Sequence, residues 1–276
     1  MQDYLSTSVI KSKELCSLTM VRRVAAMLDL ATQSFSEGDL LPKGWHFFML
    51  AGETRKSDLR NDGFPGLGVP IPNLGLPRLL LGGRIVAYNE DIVIGSVVEK
   101  SSFVKNITEK TTKNGSMAIL TIQHDLRPIE NFNPAIIETQ TYILLEAKPI
   151  TNGEFGIRSF TPLESSIPNS KVFTPDETLL FQYSALGFNS HKIHIDRNYA
   201  QKIEGLPDLV VNGGLATLLM TEYAQNELKL SLSEIKVKHL KPLYCNQPFT
   251  IVLEANELKI FDDKNELAVV MEVKIQ

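Results

Sequence analysis

The segment from Val210 to Glu227 constrains the fold more than any other part of the chain. It is predicted to be a helix, and it is apolar on most of its faces. The apolar side chains are those of Leu215, Ala216, Leu218, Leu219 and Met220. A helix that is apolar all round belongs in the interior of a protein. The neighbouring segments must therefore form a surface that surrounds it.

Extended segments follow this helix, at about residues 232–242, 248–256 and 266–275. In the last segment, apolar residues alternate with more polar neighbours at a period of two. These residues are Leu267, Val269, Met271, Val273 and Ile275. This period is typical of a strand with one buried face. The second half of the chain is therefore predicted to be a buried helix wrapped by antiparallel strands.

The first half contains the same order of elements in a less regular form. Residues 18–35 have apolar positions at helical spacing, which predicts an amphipathic helix. Three extended runs come later, at about 92–107, 116–126 and 136–147. Residues 78–85 are interpreted as a short equivalent of the buried helix, broken by Gly82 and Gly83. The halves are thus interpreted as diverged copies, and periodicity alone supports an α+β fold.

Irregular segments divide these elements. Residues 45–50 are a short apolar strand candidate, and residues 56–76 are rich in Gly, Pro and Asn, which predicts a long loop. Residues 151–174 have the composition of a linker. The chain is accordingly divided into an N-terminal unit at 1–150, a linker at 151–174 and a C-terminal unit at 175–276.

The residues most suited to catalysis lie between positions 183 and 196. This segment contains Asn189, His191 and His194, and Ala200 lies six residues after the last histidine. Histidine exchanges protons near neutral pH, which suits it to acid and base roles. Two histidines at this spacing are a weak signal by themselves. A zinc site would need further ligands at a recognisable spacing, and the sequence offers none.

The spacing resembles the (R)-specific hydratase signature Asp-x-Asn-x-x-His-x5-Ala, with Asn189 at the Asp position and His191 at the Asn position. The chain is similar to MaoC-like hydratases and dehydratases, above all to the fungal mitochondrial 3-hydroxyacyl-thioester dehydratases of type 2. The resemblance extends over nearly the whole chain. Its other parts are the run Leu41 to Phe48, Pro70-x-Pro72, Pro77-Arg78, Gly82-Gly83-Arg84, Phe181 to Ala200 and Gly213-Gly214.

The resemblance implies a double hotdog, in which two long helices are each wrapped by an antiparallel sheet and the two units pair within one chain. It also implies a hydro-lyase of mitochondrial type II fatty acid synthesis. Such an enzyme removes water reversibly from a (3R)-3-hydroxyacyl thioester to give a trans-2-enoyl thioester. The reaction needs a base, an acid and hydrogen-bond donors to the thioester oxygen. It needs no metal or redox cofactor.

Motif position assigns the role of base to His194. The carboxylate of the signature is absent, so Asn189 and His191 are expected to handle the leaving hydroxyl or the attacking water. Asp196 is a further candidate for this part of the site, provided that the local backbone turns it inward.

Substrate binding is assigned to the start of the buried helix and to the first unit. Gly213 and Gly214 are expected to donate backbone hydrogen bonds to the thioester oxygen. Arg84 is a candidate for a phosphate of the thioester carrier, with a solvated charge or a carboxylate partner as the alternative. The first unit, with its broken helix, is expected to accommodate a long acyl chain.

Two other functions are left open by the sequence. One is a hotdog acyl thioesterase, in which a carboxylate such as Asp196 or Glu222 would activate water. The other is a non-catalytic acyl-binding module, which the missing carboxylate at position 189 favours. Release of free thiol would indicate the first, and tight binding without turnover the second.

Composition narrows the partners. The net charge of −4 and the dispersed basic residues do not support nucleic-acid binding. No apolar run approaches the roughly 20 residues that a membrane helix needs. Cys16 and Cys245 are too few for a disulfide framework, which favours a reducing compartment. The expected partner is acyl carrier protein or an acyl-CoA, and association into a homodimer is left open.

A mitochondrial location is implied by the resemblance alone. Asp3 and Glu14 lie among the basic residues near the N-terminus. Organelle presequences are rich in Arg and poor in acidic residues, so this segment does not match one.

Overall fold

A ten-stranded antiparallel sheet organises the part of the protein that the computed structural model describes, residues 8–113, 115–147 and 168–276. The strands are β1 Ile10–Leu15, β2 Arg78–Tyr88, β3 Val97–Thr112, β4 Gly115–Pro128, β5 Ile136–Leu145, β6 Ser170–Phe173, β7 Leu232–His239, β8 Phe249–Glu254, β9 Glu257–Phe261 and β10 Leu267–Ile275. The helices are α1 Leu18–Met27, α2 Glu177–Leu186, α3 Arg197–Lys202 and α4 Gly213–Glu222, which continues as a π-helical turn at Tyr223–Glu227.

The strand order repeats in mirror image about the middle of the sheet. It runs β1-β3-β4-β5-β2 and then β7-β10-β9-β8-β6, so each half contributes five strands. The halves join where β2 pairs antiparallel with β7, with Ile85 opposite Lys236. This arrangement confirms the predicted α+β double hotdog.

Helix α4 forms the core of the C-terminal half. Every residue from Leu215 to Glu222 is buried. Strands β7 to β10 contribute apolar side chains to the same cluster, among them Ile235, Val237, Ile251, Ile260 and Met271. Full burial of a large aliphatic side chain stabilises a protein by about 1.5–3 kcal/mol. The apolar pattern of this helix is therefore explained by its position.

The described residues of the N-terminal half form no equivalent helix, and the interpretation of residues 78–85 as one was wrong. These residues belong to β2, whose pairing with β5 shifts register between Leu81 and Gly83. A β-carbon at Gly83 would fall on the Val237 carbonyl of β7. The two glycines therefore allow a bulge and a close approach of strands.

A 3₁₀ helix at Trp45–Leu50 occupies the corresponding place in the chain, between α1 and β2. It was predicted to be a strand, which was also wrong. Gly44 turns the chain into it with a φ of 92°. Its residues are largely buried, and Trp45 Nε1 donates to Glu222 Oε1 of α4 at 2.5 Å.

The other elements match the sequence predictions in part. Helix α1, predicted over 18–35, ends at Met27, and its N-cap is Ser17, whose hydroxyl accepts from the Met20 amide. Strands β3, β4, β5, β7, β8 and β10 lie close to their predicted positions. Helix α2 and strands β1, β6 and β9 were not predicted.

The segment assigned to a linker lies mostly outside the described residues, and β6 lies within its end. Residues 56–76 form the predicted long loop, apart from a 3₁₀ turn at Lys56–Asp58. Apolar residues of this loop pack on β3 to β5; they are Leu67, Val69, Leu74 and Leu76. Cys16 and Cys245 are buried and free. None of the helices in the described ranges combines the length and apolar character needed to cross a membrane.

Candidate active site

The segment with the two histidines turns back sharply after α2. Phe188 adopts a φ of 47°, and the Asn189 amide then donates to the Ser184 carbonyl at 2.8 Å. The Asn189 side-chain oxygen accepts from the amide of His191 at 3.1 Å. Asn189 therefore shapes the turn that presents His191 and the 3₁₀ turn ending at His194.

His194 is buried and has a defined tautomer. Its Nδ1 lies 2.7 Å from the Val210 carbonyl oxygen, which can only accept a hydrogen bond. Nδ1 therefore carries the proton, and Nε2 keeps its lone pair. Burial, assisted by the neighbouring His191, lowers the pKa of His194 to about 3. The side chain is thus neutral at physiological pH, as a base must be before it accepts a proton.

His191 lies between His194 and a carboxylate that the sequence analysis did not identify. The rings of the two histidines are 5.4 Å apart between centroids and nearly perpendicular. His191 Nε2 is 3.8 Å from Asp62 Oδ2. Burial lowers the pKa of His191, and the negative charge of Asp62 opposes this shift. The three side chains form a row from the N-terminal loop to the C-terminal motif.

The loop that carries Asp62 is fastened to the histidine segment by its backbone. The Lys192 amide donates to the Asp62 carbonyl at 2.8 Å, and Ser190 Oγ donates to the Gly63 carbonyl at 2.7 Å. A β-carbon at Gly63, where φ is 76°, would fall on the Ser190 carbonyl oxygen. Arg60 pairs with the Asp62 carboxylate at 2.9 Å. These contacts fix the carboxylate beside His191.

The two glycines predicted to bind the thioester begin α4, three residues after the carbonyl that holds His194. Asn212 is the N-cap residue, and its side chain makes no capping hydrogen bond. A β-carbon at Gly214 would fall on the Tyr183 hydroxyl, and one at Gly213 would lie 3.3 Å from His239 Nε2. Glycine is therefore required here by close packing. The amides of this first turn are not covered by a capping side chain.

Arg84 lies in the interior, where it pairs with a carboxylate. Its side chain is only 10% exposed, and Nη1 is 3.1 Å from Glu138 Oε1. Burial favours a raised pKa for the Glu138 carboxyl, but the Arg84 charge and the hydrogen bond from His46 outweigh it and hold that pKa below its ordinary value. Of the two alternatives for Arg84, the carboxylate partner is the one observed.

The remaining carboxylates that the sequence offered are engaged elsewhere. Asp196 is exposed, and its Oδ1 accepts from the Tyr199 amide at 3.0 Å as the N-cap of α3. Glu222 accepts from Trp45 at 2.5 Å and from Asn226 at 2.6 Å. Neither is arranged as the water-activating group of a thioesterase. Within the described ranges, no cluster of three His, Cys, Asp or Glu residues could hold a metal ion.

Comparison with known proteins places the chain in a family. The family model for hydroxyacyl-thioester dehydratase type 2 matches residues 44–245, which include Asp62, both histidines and α4. The mesaconyl-C(4)-CoA hydratase of Chloroflexus aurantiacus is 30% identical over 237 residues, covering 84% of this chain and 81% of that protein. The mitochondrial hydroxyacyl-thioester dehydratase type 2 of Schizosaccharomyces pombe is 29% identical over 246 residues, covering 77% of each chain.

A solved structure supports the fold independently. The MaoC-like dehydratase of Phytophthora capsici superimposes with a TM-score of 0.68 at 12% identity, over 99% of this chain and 98% of that one. At this identity the likeness concerns the fold alone. The family match covers most of the chain, and the relatives are named as hydratases or dehydratases. The chain therefore belongs to the hydroxyacyl-thioester dehydratase type 2 family and is a hydro-lyase.

Proposed function

We propose that the protein catalyses the reversible dehydration of a (3R)-3-hydroxyacyl thioester to the trans-2-enoyl thioester and water. The observation that carries this proposal is the row of Asp62, His191 and His194 beside the start of α4. It combines a neutral imidazole, a second imidazole with a carboxylate partner, and uncapped helix amides. These are the three functions that the elimination requires.

In the dehydration direction, His194 Nε2 removes the proton from the carbon next to the thioester carbonyl. The Nδ1 hydrogen bond to Val210 keeps the ring oriented and leaves Nε2 as the only nitrogen with a lone pair. The electron pair of the broken C–H bond passes to the thioester as an enolate. Gly213 and Gly214 donate their amides to the enolate oxygen, where the positive end of the α4 dipole adds stabilisation.

His191 delivers the proton to the leaving hydroxyl. The enolate electrons form the carbon–carbon double bond as the C–O bond breaks, and the departing oxygen takes the proton and leaves as water. Asp62 stabilises the protonated form of His191 before that transfer, which replaces the carboxylate missing at position 189. The Asn189 side chain positions His191 by accepting a hydrogen bond from the His191 backbone amide, and it does not act as an acid or a base.

The names of the relatives support a proposal for the carrier and the pathway. A fungal relative is described as mitochondrial, which supports a role in mitochondrial type II fatty acid synthesis with acyl carrier protein. The Chloroflexus relative is named for a CoA thioester, which supports acyl-CoA as a second carrier. Because one chain contains both hotdog units, the proposed site does not require a homodimer.

The test is the hydration of trans-2-enoyl-CoA and of the acyl carrier protein thioester. Loss of absorbance of the conjugated thioester measures the rate, and chiral analysis of the product gives its configuration. We expect a (3R)-hydroxyacyl product and loss of turnover in a folded His194→Ala variant. Release of thiol without hydration, or binding without turnover of either carrier, would contradict the proposal.

A further inference from the structure

Arg84 on β2 is a buried charge that the proposed mechanism does not use. Its side chain is only 10% exposed, and its Nη1 lies 3.1 Å from Glu138 Oε1 on β5. Glu138 is fully buried and also accepts from Gln140 Nε2 at 2.6 Å and from His46 Nε2 at 2.7 Å. These contacts hold the carboxylate in place, and the carboxylate holds one side of the guanidinium. Because burial of charge is costly, the other donors of Arg84 are expected to find acceptors as well.

The other edge of the guanidinium lies at the start of α4. Nη1 is on the side of Cδ, so Nε and Nη2 share the opposite edge, where their N–H bonds are parallel. Nη2 lies 3.3 Å from the position that a β-carbon of Gly214 would take. Within the described ranges, Nε is buried and has no hydrogen-bond partner. This edge of Arg84 therefore has donor capacity that the rest of the chain does not use.

The place of this edge beside Gly214 brings it near the free amides of the helix. The β-carbon positions of a helix tilt toward its N-terminus. A group in contact with the β-carbon position of Gly214 thus lies toward the end of α4 where the amides have no partner within the helix. The N-cap residue, Asn212, makes no side-chain hydrogen bond to them. One oxygen atom at this end can accept from an amide and from Arg84.

The electrostatics of this helix start favour an anion. The α4 dipole places partial positive charge there, and Arg84 adds a full positive charge. His239 Nε2 on β7 lies 3.3 Å from the β-carbon position of Gly213, and burial, assisted by the charge of Arg84, lowers the pKa of His239 to about 3, so this ring is neutral. A neutral thioester carbonyl gains little from the positive charge. An enolate oxygen gains much more, and such an interaction accelerates the chemical step.

We propose that Arg84 is a further catalytic residue, whose Nε–Nη2 edge donates hydrogen bonds to the thioester oxygen as enolate charge develops on it. Glu138 is the positioning residue that orients the guanidinium. This inference rests on the proposed function and adds a charged donor to the two helix amides. Because every substrate has the thioester oxygen, the role does not depend on acyl length. The expectation that the N-terminal unit accommodates a long acyl chain stays a prediction.

The experiment removes the charge of Arg84 without leaving Glu138 charged and unpaired. The double variant Arg84→Met with Glu138→Gln is assayed for hydration of trans-2-butenoyl-CoA and trans-2-octenoyl-CoA. We expect kcat to fall by about 100-fold, as for loss of an oxyanion donor, with KM changed by less than about threefold. The loss should be the same for every substrate that the native chain hydrates. Arg84→Lys keeps the charge without the parallel donors and should lose about tenfold.

A matched control removes a similar ion pair elsewhere in the same sheet. Arg127 Nη2 on β4 lies 3.0 Å from Glu99 Oε1 on β3. Arg127→Met with Glu99→Gln should keep the native kcat, because neither residue lies at the proposed site. Native kcat in the folded Arg84 and Glu138 double variant would overturn the inference, and so would a raised KM with unchanged kcat, which indicates uniform binding.

Two further outcomes are decisive. If the double variant does not fold, Arg84→Lys decides, since it retains the buried ion pair, and a native kcat in this variant would overturn the inference. If the native chain hydrates no enoyl thioester, the proposed function is refuted, and the catalytic role of Arg84 with it. Native turnover with unaffected Arg84 variants would refute the role of Arg84 alone.

Infrared spectroscopy of a bound thioester provides a readout that does not depend on turnover. Butyryl-CoA labelled with ¹³C at the carbonyl carbon has no double bond to hydrate and no hydroxyl to eliminate. A charged donor polarises the carbonyl and weakens its C=O bond, so we expect a lower stretching frequency in the native complex than in that of the Arg84 and Glu138 double variant. The Arg127 and Glu99 control should match the native complex. Equal frequencies in the native and Arg84 double-variant complexes at saturation would assign Arg84 a structural role only.

Discussion

The two halves of the protein share a strand order and differ in what their sheets enclose. In the C-terminal half, apolar side chains of β7 to β10 surround α4, which is buried along its whole length. In the N-terminal half, the corresponding face carries Glu138, Gln140 and Arg84 beside a 3₁₀ helix. The described part of the first half therefore lacks a helix like α4, and its sheet carries buried polar groups, of which Arg84 lies beside the start of α4. Both halves contribute to the apolar core, and they supply different parts of the proposed site: the C-terminal half provides His191 and His194, and the N-terminal half provides Asp62.

The largest effect is expected when the buried His194 of the C-terminal half is replaced. A matched replacement of the buried His124 in the N-terminal half should have little effect. His194→Ala should reduce kcat for hydration by about 10³-fold, because it removes the general base. His124→Ala, on β4, is the matched control. Burial lowers the pKa of His124 to about 4, and its Nδ1 lies 2.8 Å from the Ser102 hydroxyl. We expect the His124 variant to keep kcat within a few-fold of native, because this side chain touches no reacting atom in the proposed mechanism. A comparable loss in both folded variants would show that the catalytic division between the halves is wrong.

A second prediction concerns the contact between α2 and the start of α4. Gly214→Ala would place a methyl group on the Tyr183 hydroxyl, so we expect kcat/KM to fall by about 100-fold through displacement of the oxyanion donors. Adding Tyr183→Phe removes the clashing oxygen and should restore part of the rate, since the remaining ring carbon would lie 3.1 Å away. Steady-state kinetics of the two single variants and the double variant measure this coupling. Additive losses would exclude the proposed clash.

A third prediction tests whether the N-terminal half takes part in proton transfer. Asp62→Asn keeps the size of the side chain and removes its charge, so we expect kcat to fall by about tenfold and the pH profile to change as His191 loses its partner. Asp58→Asn lies in the same loop, where its partner is the exposed Arg55, and is the matched control. A pH profile of kcat that is identical in native and Asp62→Asn proteins would assign Asp62 a structural role only.

Sequence patterns predicted the C-terminal half better than the N-terminal half for a physical reason. The all-round apolar character of α4 and the alternation in β10 each have a single structural explanation. The Gly82-Gly83 pair does not, because glycine both breaks a helix and permits a bulge in a strand. The register shift and the approach of β7 explain it only in three dimensions.

The candidate site was also predictable only in part. His191 and His194 follow from local spacing, and the glycines from the start of an apolar helix. Asp62 could not be found in this way, because it comes from an aperiodic loop far away along the chain and reaches His191 only through tertiary contacts. Glu138 did leave a signal, since a charged residue occupies the inward-facing phase of an otherwise alternating strand.

The smallest expected effect is on the pH dependence of stability, where the halves should behave alike. Burial lowers the pKa of His124 in the first half to about 4, and the pKa values of His194 and His239 in the second to about 3. The unfolded chain takes up protons at these residues below pH of about 6.5, whereas the folded chain does not. The contribution of these histidines to the free energy of unfolding is therefore fully present above that pH. It is lost as the pH decreases toward the folded pKa values.

Each proton that the unfolded chain binds and the folded chain does not bind adds up to about 1.4 kcal/mol per pH unit to the slope of the free energy of unfolding against pH. Urea unfolding between pH 5 and pH 7 should show that His124→Asn and His194→Asn each reduce the slope by about one proton. Each variant is compared with the native chain at the same pH, so that protonation of the carboxyl groups, whose unfolded pKa values are about 3.9 for Asp and 4.3 for Glu, contributes equally to both slopes. If His194→Asn changed the slope and His124→Asn did not, His124 would already be protonated in the folded chain, because water would reach the N-terminal face of the sheet. The two halves would then differ in the hydration of their interiors as well as in the elements that their sheets enclose.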